Sequence, residues 1–432
     1  MFSRKKPEVL IVGAGPVGLF TALALTARGI PLQIVETAWC PGLRSYALAL
    51  HAETLRLFEQ FGLLGKVLER SRRVRRVGLY EGASRRHEMR ISEVGEDHSF
   101  LAILPQDALE QMLIEELQRR GVKVTWNHEV RWLTQDESGV DVTVDRLSQD
   151  TVGYVVEHTE WVVTKTSRMH FPYVIGADGH SSIARRALEI ECPVVGPAKE
   201  FAVFEFATDA DLGDEVRIGL DEHRANVCWP LPGKACRFSF ECLPEDPDVD
   251  TRAKDRVGTQ AADDVGDGLG DDQLRRLLAA GAPWFRGSVE DVHWRMRVRF
   301  EQRLADSIGH GRVWMVGDAV HLTGPLGIQS MNVGFREALL LADAIQHSVA
   351  GGHAASVFAA AQRACLEEWR GLLGMTELLQ STPDTPPWIA ARRERLVSCI
   401  PASGTGLIRL AGQLGLRAAA RSGSDAGTTA AL

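Results

Sequence analysis

The sequence predicts an α/β protein with a βαβ unit at the start, a smaller mixed β-sheet interleaved with it and a helical segment at the end. Three observations carry this. The apolar run Val9 to Val12 leads through Gly13-Ala14-Gly15-Pro16-Val17-Gly18 into an amphipathic stretch. Two later apolar runs, Phe171 to Ala177 and Val313 to Val316, each lead into a tight Asp/Gly pair, Asp178-Gly179 and Gly317-Asp318. Between them, residues 199–243 alternate apolar and polar side chains, the period of a strand with one buried face.

Bulk composition bounds the answer. With 432 residues, 45 % of them hydrophobic, the chain can bury two or three domains. A net charge of −8 argues against nucleic acid as a partner, because phosphates want a basic surface. Seven cysteines (40, 192, 228, 236, 242, 365 and 399) form no CxxC pair. Free thiols in a reducing cytoplasm are expected, rather than disulfides or zinc. Arg4, Lys5 and Lys6 ahead of an apolar run resemble a signal peptide, but Gly13, Gly15 and Gly18 interrupt that run. No apolar stretch reaches the ~20 residues of a membrane helix, so a soluble, cytoplasmic protein without a transmembrane segment is expected.

Val9 to Val12 reads as a buried parallel strand. The helix after it runs through Leu19, Ala22, Leu23 and Leu25 to Gly29, where a left-handed cap suits glycine. Leu32 to Val35 gives the next strand and completes a βαβ opening. Residues 51–70 read as a helix with Leu55, Leu57, Phe58 and Phe61 on its apolar side, and residues 106–120 as another, with Leu109, Leu113 and Leu117 four apart. Segments 122–133, 139–145 and 152–164 suit a β-meander. Residues 244–272, rich in Asp, Gly and Pro, read as an exposed loop, and 330–349 as a long helix. The chain from 353 onward reads as helical, with an amphipathic, basic stretch from Ile408 to Ala420 and a frayed tail from Ser422.

The glycine motif carries a mechanism. Its first glycine permits the tight turn, its second lets backbone approach a pyrophosphate, and its third lets helix and strand pack closely. The helix N-terminus, from Pro16 and Val17, offers N–H groups and a favourable dipole to phosphate. Glu36 ends the second strand, where a ribose hydroxyl needs an acceptor.

The later motifs bring in a resemblance. Gly176-Ala177-Asp178-Gly179, with Ser182 and Arg185, resembles the "DG" motif of the flavoprotein aromatic hydroxylases. Gly317-Asp318-Ala319-Val320-His321, with Pro325, Gly327, Met331-Asn332 and Gly334, resembles their "GD" motif. Arg44 resembles the family's arginine beside the flavin diphosphate, and Gln106 its glutamine near the cofactor. The matches keep the family's order from residue 9 to about 345.

The resemblance implies a Rossmann-type FAD-binding domain (1–75, 100–185 and 290–350), a mixed β-sheet substrate domain (76–99 and 186–289), and a C-terminal helical segment (351–432). In the family that last segment often supports the FAD domain or a homodimer contact. The resemblance also implies that Asp178 and Asp318 serve the cofactor, and that Gly327, Ser330, Met331 and Asn332 lie beside the flavin pyrimidine. A helix start there favours the negative charge of reduced flavin. It implies transient reduction by NADH or NADPH, reaction with O2 to a flavin C4a-hydroperoxide, and hydroxylation of an aromatic or related electron-rich small molecule.

Some positions depart from the family's pattern. Gly324 stands where many members have a proline, Ile328 and Ser330 where they have glycines, and Val320 and Glu337 where small residues and Asp are commoner. An Ile beside the flavin narrows the space over the ring. Pro325, His223 and Arg224 are the catalytic candidates, although the plainer reading of His223 is a solvent-facing loop histidine. Trp229-Pro230 is expected at the roof of the pocket, and His321 in a structural role. Other classes fit less well. A halogenase would carry a Trp-x-Trp-x-Ile-Pro signature, which is absent. A lipid-binding chaperone on this fold would not need Arg44, Gln106 and Asp318 together. An epoxidase or reductase of an isoprenoid or polyene shares both motifs and stays open.

Overall fold

The computed structural model describes residues 6–42, 48–93, 98–152, 158–243, 269–352 and 354–419. Its centre is a parallel sheet. Val9–Val12 lies between Leu32–Val35 and Tyr173–Gly176. Val313–Met315 continues the sheet beyond the latter and Val124–Thr125 beyond the former, with Gly309–His310 as an antiparallel edge. The chain leaves the first strand toward one side and returns on the other, so the strand order reverses at Val9–Val12. A crevice opens beyond the strand ends at such a point.

Helix Pro16–Ala27 packs over this sheet through Leu19, Phe20, Leu23 and Leu25. Phe20 meets Phe58, Phe61 and Phe335 at ring-centroid distances of 5.4, 5.3 and 4.8 Å, which ties the first helix to helix Ala52–Gln60 and to the long helix Gln329–Val349. Aromatic clusters of this kind add packing energy beyond area burial. Gly13 has φ of +101°, and a Cβ on it would lie 2.2 Å from the Ala177 carbonyl oxygen. A Cβ on Gly18 would lie 2.2 Å from the Gly13 oxygen. Both glycines are demanded by the protein's own packing.

The second sheet has seven strands. In spatial order they are Glu290–Phe300, Lys199–Ala207, Ala235–Cys242, Ala225–Leu231, Glu215–Leu220, Arg76–Glu81 and Ser84–Arg90. Its outer face carries Phe204, Phe206, Phe238 and Phe240, covered by helix Asp271–Gly281 through Leu274 and Leu278 and by Trp284 and Phe285. Phe238 stacks on Phe206 and Phe240 at 5.9 and 5.1 Å. The inner face turns toward the parallel-sheet domain. A three-stranded meander (His128–Gln135, Val140–Val152 and His158–Phe171) completes the architecture.

Several expectations need correction. The helix expected over 51–70 is two helices, Ala52–Gln60 and Leu64–Arg70, divided at Gly62 with φ of +73°. The third meander strand lies at 158–171 rather than 152–164, because it pairs with Val140–Val152 as far as Phe171. Strand Glu290–Phe300, assigned above to the FAD domain, is the edge of the seven-stranded sheet, paired along Lys199–Ala207. The stretch 408–420 is no continuous helix. Helix Gly404–Gly412 stops, Gly415 turns the chain with φ of +75°, and Leu416–Ala418 pairs with Leu379–Ser381. Residues 244–268 and the tail from 422 lie outside the described residues. Among the described residues, no helix is long and apolar enough to cross a membrane.

Gly13→Ala is expected to lower folding stability by about 3 kcal/mol, because it combines a disfavoured φ with a backbone clash. Chemical denaturation checks this, and an unchanged midpoint would contradict the packing of the glycine loop on Ala177.

Candidate functional site

Three loops leave the same ends of three adjacent parallel strands: the glycine loop after Val12, the loop at Ala177–Gly179 and the loop at Gly317–Asp318. Between them and the edge of the seven-stranded sheet lies a cleft with a cavity volume of about 280 Å³. Gly15, Gln106, Asp318, Pro325, Ile328 and Ser330 are among its lining residues.

Gly15 differs from its two partners in the motif. A Cβ there would meet nothing within 4 Å. The protein does not need a glycine at this position, so the space is kept for whatever enters the cleft. Gly15 is also the N-cap of helix Pro16–Ala27, with no side chain capping it. The helix therefore presents its positive end to the cleft, an arrangement that suits a phosphate. Glu36 secures the loop. Its Oε2 accepts from Ala14 N–H at 2.6 Å and its Oε1 from Ala38 N–H at 2.9 Å. Each oxygen keeps a second lone pair that can accept a hydroxyl.

Gln106 opens helix Gln106–Arg119 and donates to Glu110 Oε1 at 2.8 Å. Glu110 Oε2 accepts from Gly42 N–H at 3.0 Å. Burial pushes the Glu110 carboxyl up to about 7, against the pull of these two hydrogen bonds. Arg44, two residues beyond Gly42, lies outside the described residues.

Asp178 caps the short helix Ile183–Ala187. Its Oδ2 accepts from the N–H groups of Ile183 and Ala184 at 2.7 and 3.2 Å. Among the described residues its Oδ1 is buried with no hydrogen-bond partner, and burial raises the pKa of the carboxyl. Arg185 joins this loop to the next one, donating to the carbonyls of His180 at 2.6 Å and Ala319 at 2.7 Å.

Asp318 stands exposed at the cleft and accepts from Ser330 Oγ at 2.6 Å. Behind it, Gly317 N–H donates to Glu337 Oε2 at 2.9 Å. The buried Glu337 carboxylate also takes Trp369 Nε1–H at 2.8 Å and His321 Nε2 at 3.0 Å. Burial opposes its ionisation, but the His321 charge and these hydrogen bonds hold its pKa below the ordinary value. His321 is itself fully buried and stacks on Trp369 at 3.8 Å, which fits the structural role expected of it.

The structure does not bring all the expected residues to the cleft. Asn332 is fully buried and satisfied inside the protein: Oδ1 accepts from His51 N–H and Thr54 Oγ, and Nδ2 donates to the carbonyls of Ala49 and Ile328. Gly327 faces away, since a Cβ on it would meet the carbonyls of Ile400 and Ser398 at 2.8 and 2.9 Å. Both residues hold the start of the long helix rather than line the cleft, whereas Met331 and Ser330 do line it. His223 and Arg224 are misplaced as catalytic candidates. They sit in the turn between strands Glu215–Leu220 and Ala225–Leu231, where Asp221 Oδ1 accepts both their N–H groups, and His223 is solvent-facing. Pro325 alone of the three catalytic candidates lies at the cleft.

Two features escaped the sequence. Gln329 donates from Nε2 to the carbonyls of Val397, Ile400 and Ala402, which binds the C-terminal segment to the cleft loop. No local signal marks this, because all three partners are distant backbone groups. Ile328 has φ of +52° and ψ of +41°, a left-handed conformation costing a β-branched residue roughly 1–2 kcal/mol. Its departure from the family's glycine was the available signal. With Phe300 and Pro325 it lines both the cleft and a small chamber under the inner face of the seven-stranded sheet.

A family model described as "FAD binding domain" matches residues 6–368. Among curated proteins, the chain is 27 % identical over 354 residues to 6-methylpretetramide 4-monooxygenase of Streptomyces rimosus, covering 81 % of this chain and 57 % of that protein. It is 26 % identical over 337 residues to rifampicin monooxygenase of Rhodococcus hoagii, covering 77 % and 62 %. The chain thus spans about three fifths of the length of these relatives. Among solved structures, p-nitrophenol 4-monooxygenase from Pseudomonas putida superposes with a TM-score of 0.68 at 19 % identity, covering 94 % of this chain and 96 % of that one.

Gly15→Val is expected to leave the FAD-free protein about as stable as the parent while weakening FAD binding at least roughly tenfold, because the new side chain occupies only the cleft. Flavin titration with a parallel thermal melt checks this, and undiminished FAD affinity would remove Gly15 from the site.

Glu110 makes a pH prediction. Its folded pKa lies above its unfolded value, so between about pH 4.5 and about 7 the folded state holds a proton that the unfolded state has released. Stability from this group is full at the acid end of that window and falls as pH rises through it. Glu110→Gln should flatten the fall, as measured by denaturation midpoints across the range. An unaltered slope would show that Glu110 titrates normally.

Proposed function

The chain belongs to the FAD binding domain family, and from that premise we propose that it is an FAD-dependent monooxygenase that uses NAD(P)H and O2 to hydroxylate an aromatic or related electron-rich small molecule. The observation that carries this reading is the junction of two compartments. A helix-headed cleft, with an open position at Gly15, adjoins a chamber under a separate sheet, and Phe300, Pro325 and Ile328 line both. Cofactor and substrate would meet at that junction.

The residues present fit FAD. The N-terminus of helix Pro16–Ala27 and Gly15 would take the diphosphate, Glu36 a ribose hydroxyl, and Asp318 a hydroxyl of the ribityl chain. The start of the long helix, at Ser330 and Met331, would stand by the pyrimidine ring. When bound, FAD supplies the hydride acceptance and the oxygen activation that side chains cannot. The protein contributes orientation and exclusion of water. Val203, Met296, Val298 and Phe300 on the inner sheet face present apolar surface to the substrate. The free cysteines suit a reducing cytoplasmic setting, where reduced nicotinamide nucleotide is also found.

Among the described residues, the chamber is lined by no histidine, tyrosine or carboxylate, and the neighbouring Glu205 carboxylate is engaged by Arg237. A ring that reacts there would have to be activated without a base from the chamber wall. The same observation favours, as a second reading, epoxidation of an electron-rich alkene, which needs no deprotonation.

The test is turnover of the FAD-loaded protein with NADPH or NADH under 18O2, with a panel of phenols and a polyene. One labelled oxygen atom in an aromatic product is expected. A labelled epoxide from the polyene alone would support the second reading. Oxidation of the nucleotide with every electron recovered as H2O2, whatever the additive, would sink both.

A further inference from the structure

The chamber under the seven-stranded sheet has a floor whose order follows from strand register. Trp229 pairs with Arg237, Arg237 with Glu205, and Glu205 with Trp294, so four neighbouring strands set these side chains abreast on the inner face. The next row is Val227, Ser239, Val203 and Met296. Trp229 is 1 % exposed, and among the described residues its Nε1–H has no acceptor. A buried donor left unpaired carries a desolvation penalty that a phenylalanine of similar shape would avoid.

Beside it, Arg237 is neutralised. Its Nη2 and Nε donate to Glu205 Oε2 at 2.6 and 3.1 Å, and its guanidinium lies 4.9 Å from the Trp294 ring centroid. The floor is therefore electrically balanced and rich in donors, and the Ser239 hydroxyl also lies at the chamber wall.

We infer that Trp229 Nε1–H, flanked by the Arg237–Glu205 pair and Ser239, anchors an uncharged acceptor oxygen, a carbonyl of the substrate, and that Ile328 plugs the way in. This rests on the function proposed above and names its substrate class. A carbonyl satisfies the unpaired donor without adding charge. A carboxylate would bring a net negative charge onto a buried floor where Arg237 is already matched by Glu205. Ile328 enters because the chamber's cavity volume is about 30 Å³, room for one or two waters and not for a ring. Ile328 borders both spaces from a strained left-handed position, so it is the side chain that must yield.

The experiment titrates FAD-loaded protein with 4-hydroxyacetophenone, 4-ethylphenol and 4-hydroxybenzoate and follows perturbation of the flavin spectrum. The parent should bind the ketone about tenfold more tightly than the ethylphenol, the benefit of one hydrogen bond, and the benzoate weakest. Trp229→Phe should abolish the ketone's advantage and leave ethylphenol binding as it was. Ile328→Gly should tighten all three by opening the chamber. An unchanged ketone preference in Trp229→Phe would overturn the anchor, as would tightest binding of the benzoate. Ile328→Gly binding no better than the parent would overturn the plug. The probe ranking in the parent and in Ile328→Gly stands even if Trp229→Phe does not fold. Protein that retains no FAD would instead sink the function proposed above. Protein that holds FAD and takes hydride from NADPH, yet ranks the probes otherwise, sinks this inference alone.

Discussion

Burying a carboxylate is costly unless donors surround it, and Glu337 is buried among three of them. Its oxygens take the Gly317 N–H, the Trp369 indole N–H and the His321 ring nitrogen, and His321 in turn lies flat on Trp369. One side chain thereby fixes the loop that carries Asp318, the long helix it stands on, and helix Ala355–Leu372 behind them. Loss of one partner from such a set typically costs 3–5 kcal/mol, since it leaves a buried charge or donor uncompensated. Ser330, whose Oγ reaches Asp318 at 2.6 Å and lies 3.4 Å from His321 Nδ1, carries this fixed geometry out to the cleft. The position of Asp318 is thus set from the core outward.

The same division between inside and outside runs through the other motifs. Gly13 and Gly18 answer to backbone contacts within the protein, while Gly15 answers to the cleft. Asp178 spends one oxygen on a helix cap, and Arg185 joins two loops through their carbonyls. Asn332 is wholly consumed by four internal bonds. Residues adjacent in a motif thus act at different depths, and a motif match cannot tell which of them face a ligand.

This marks how far the sequence could be read. The parallel strands, the glycine loop and the alternating strands of the second sheet were legible because their periods and turn residues are local properties. The division of helix 51–70 was missed because one glycine inside a helical pattern does not announce a left-handed turn. The placing of strand Glu290–Phe300 depends on its pairing with Lys199–Ala207, a long-range fact. His223 drew notice as a titratable residue in the substrate sheet, yet Asp221 makes its surroundings a turn. The row Trp229–Arg237–Glu205–Trp294 is scattered from residue 205 to residue 294 and exists only once the strand register is known.

The departures from the family's glycines at 328 and 330 acquire a common meaning at the junction of the two compartments. Both stand at the start of the long helix, where the backbone passes between cleft and chamber. At 330 the added hydroxyl is used at once, as a donor to Asp318. At 328 the added side chain gains burial but pays in backbone strain, because the helix still begins from a left-handed residue whether or not it is glycine. A strained, buried, apolar side chain between two spaces is held there by its packing alone. A ligand that offers better contacts on the chamber side competes with that packing, while the Ile328 carbonyl, which accepts from Asn332 Nδ2 at 2.7 Å, holds the backbone in place.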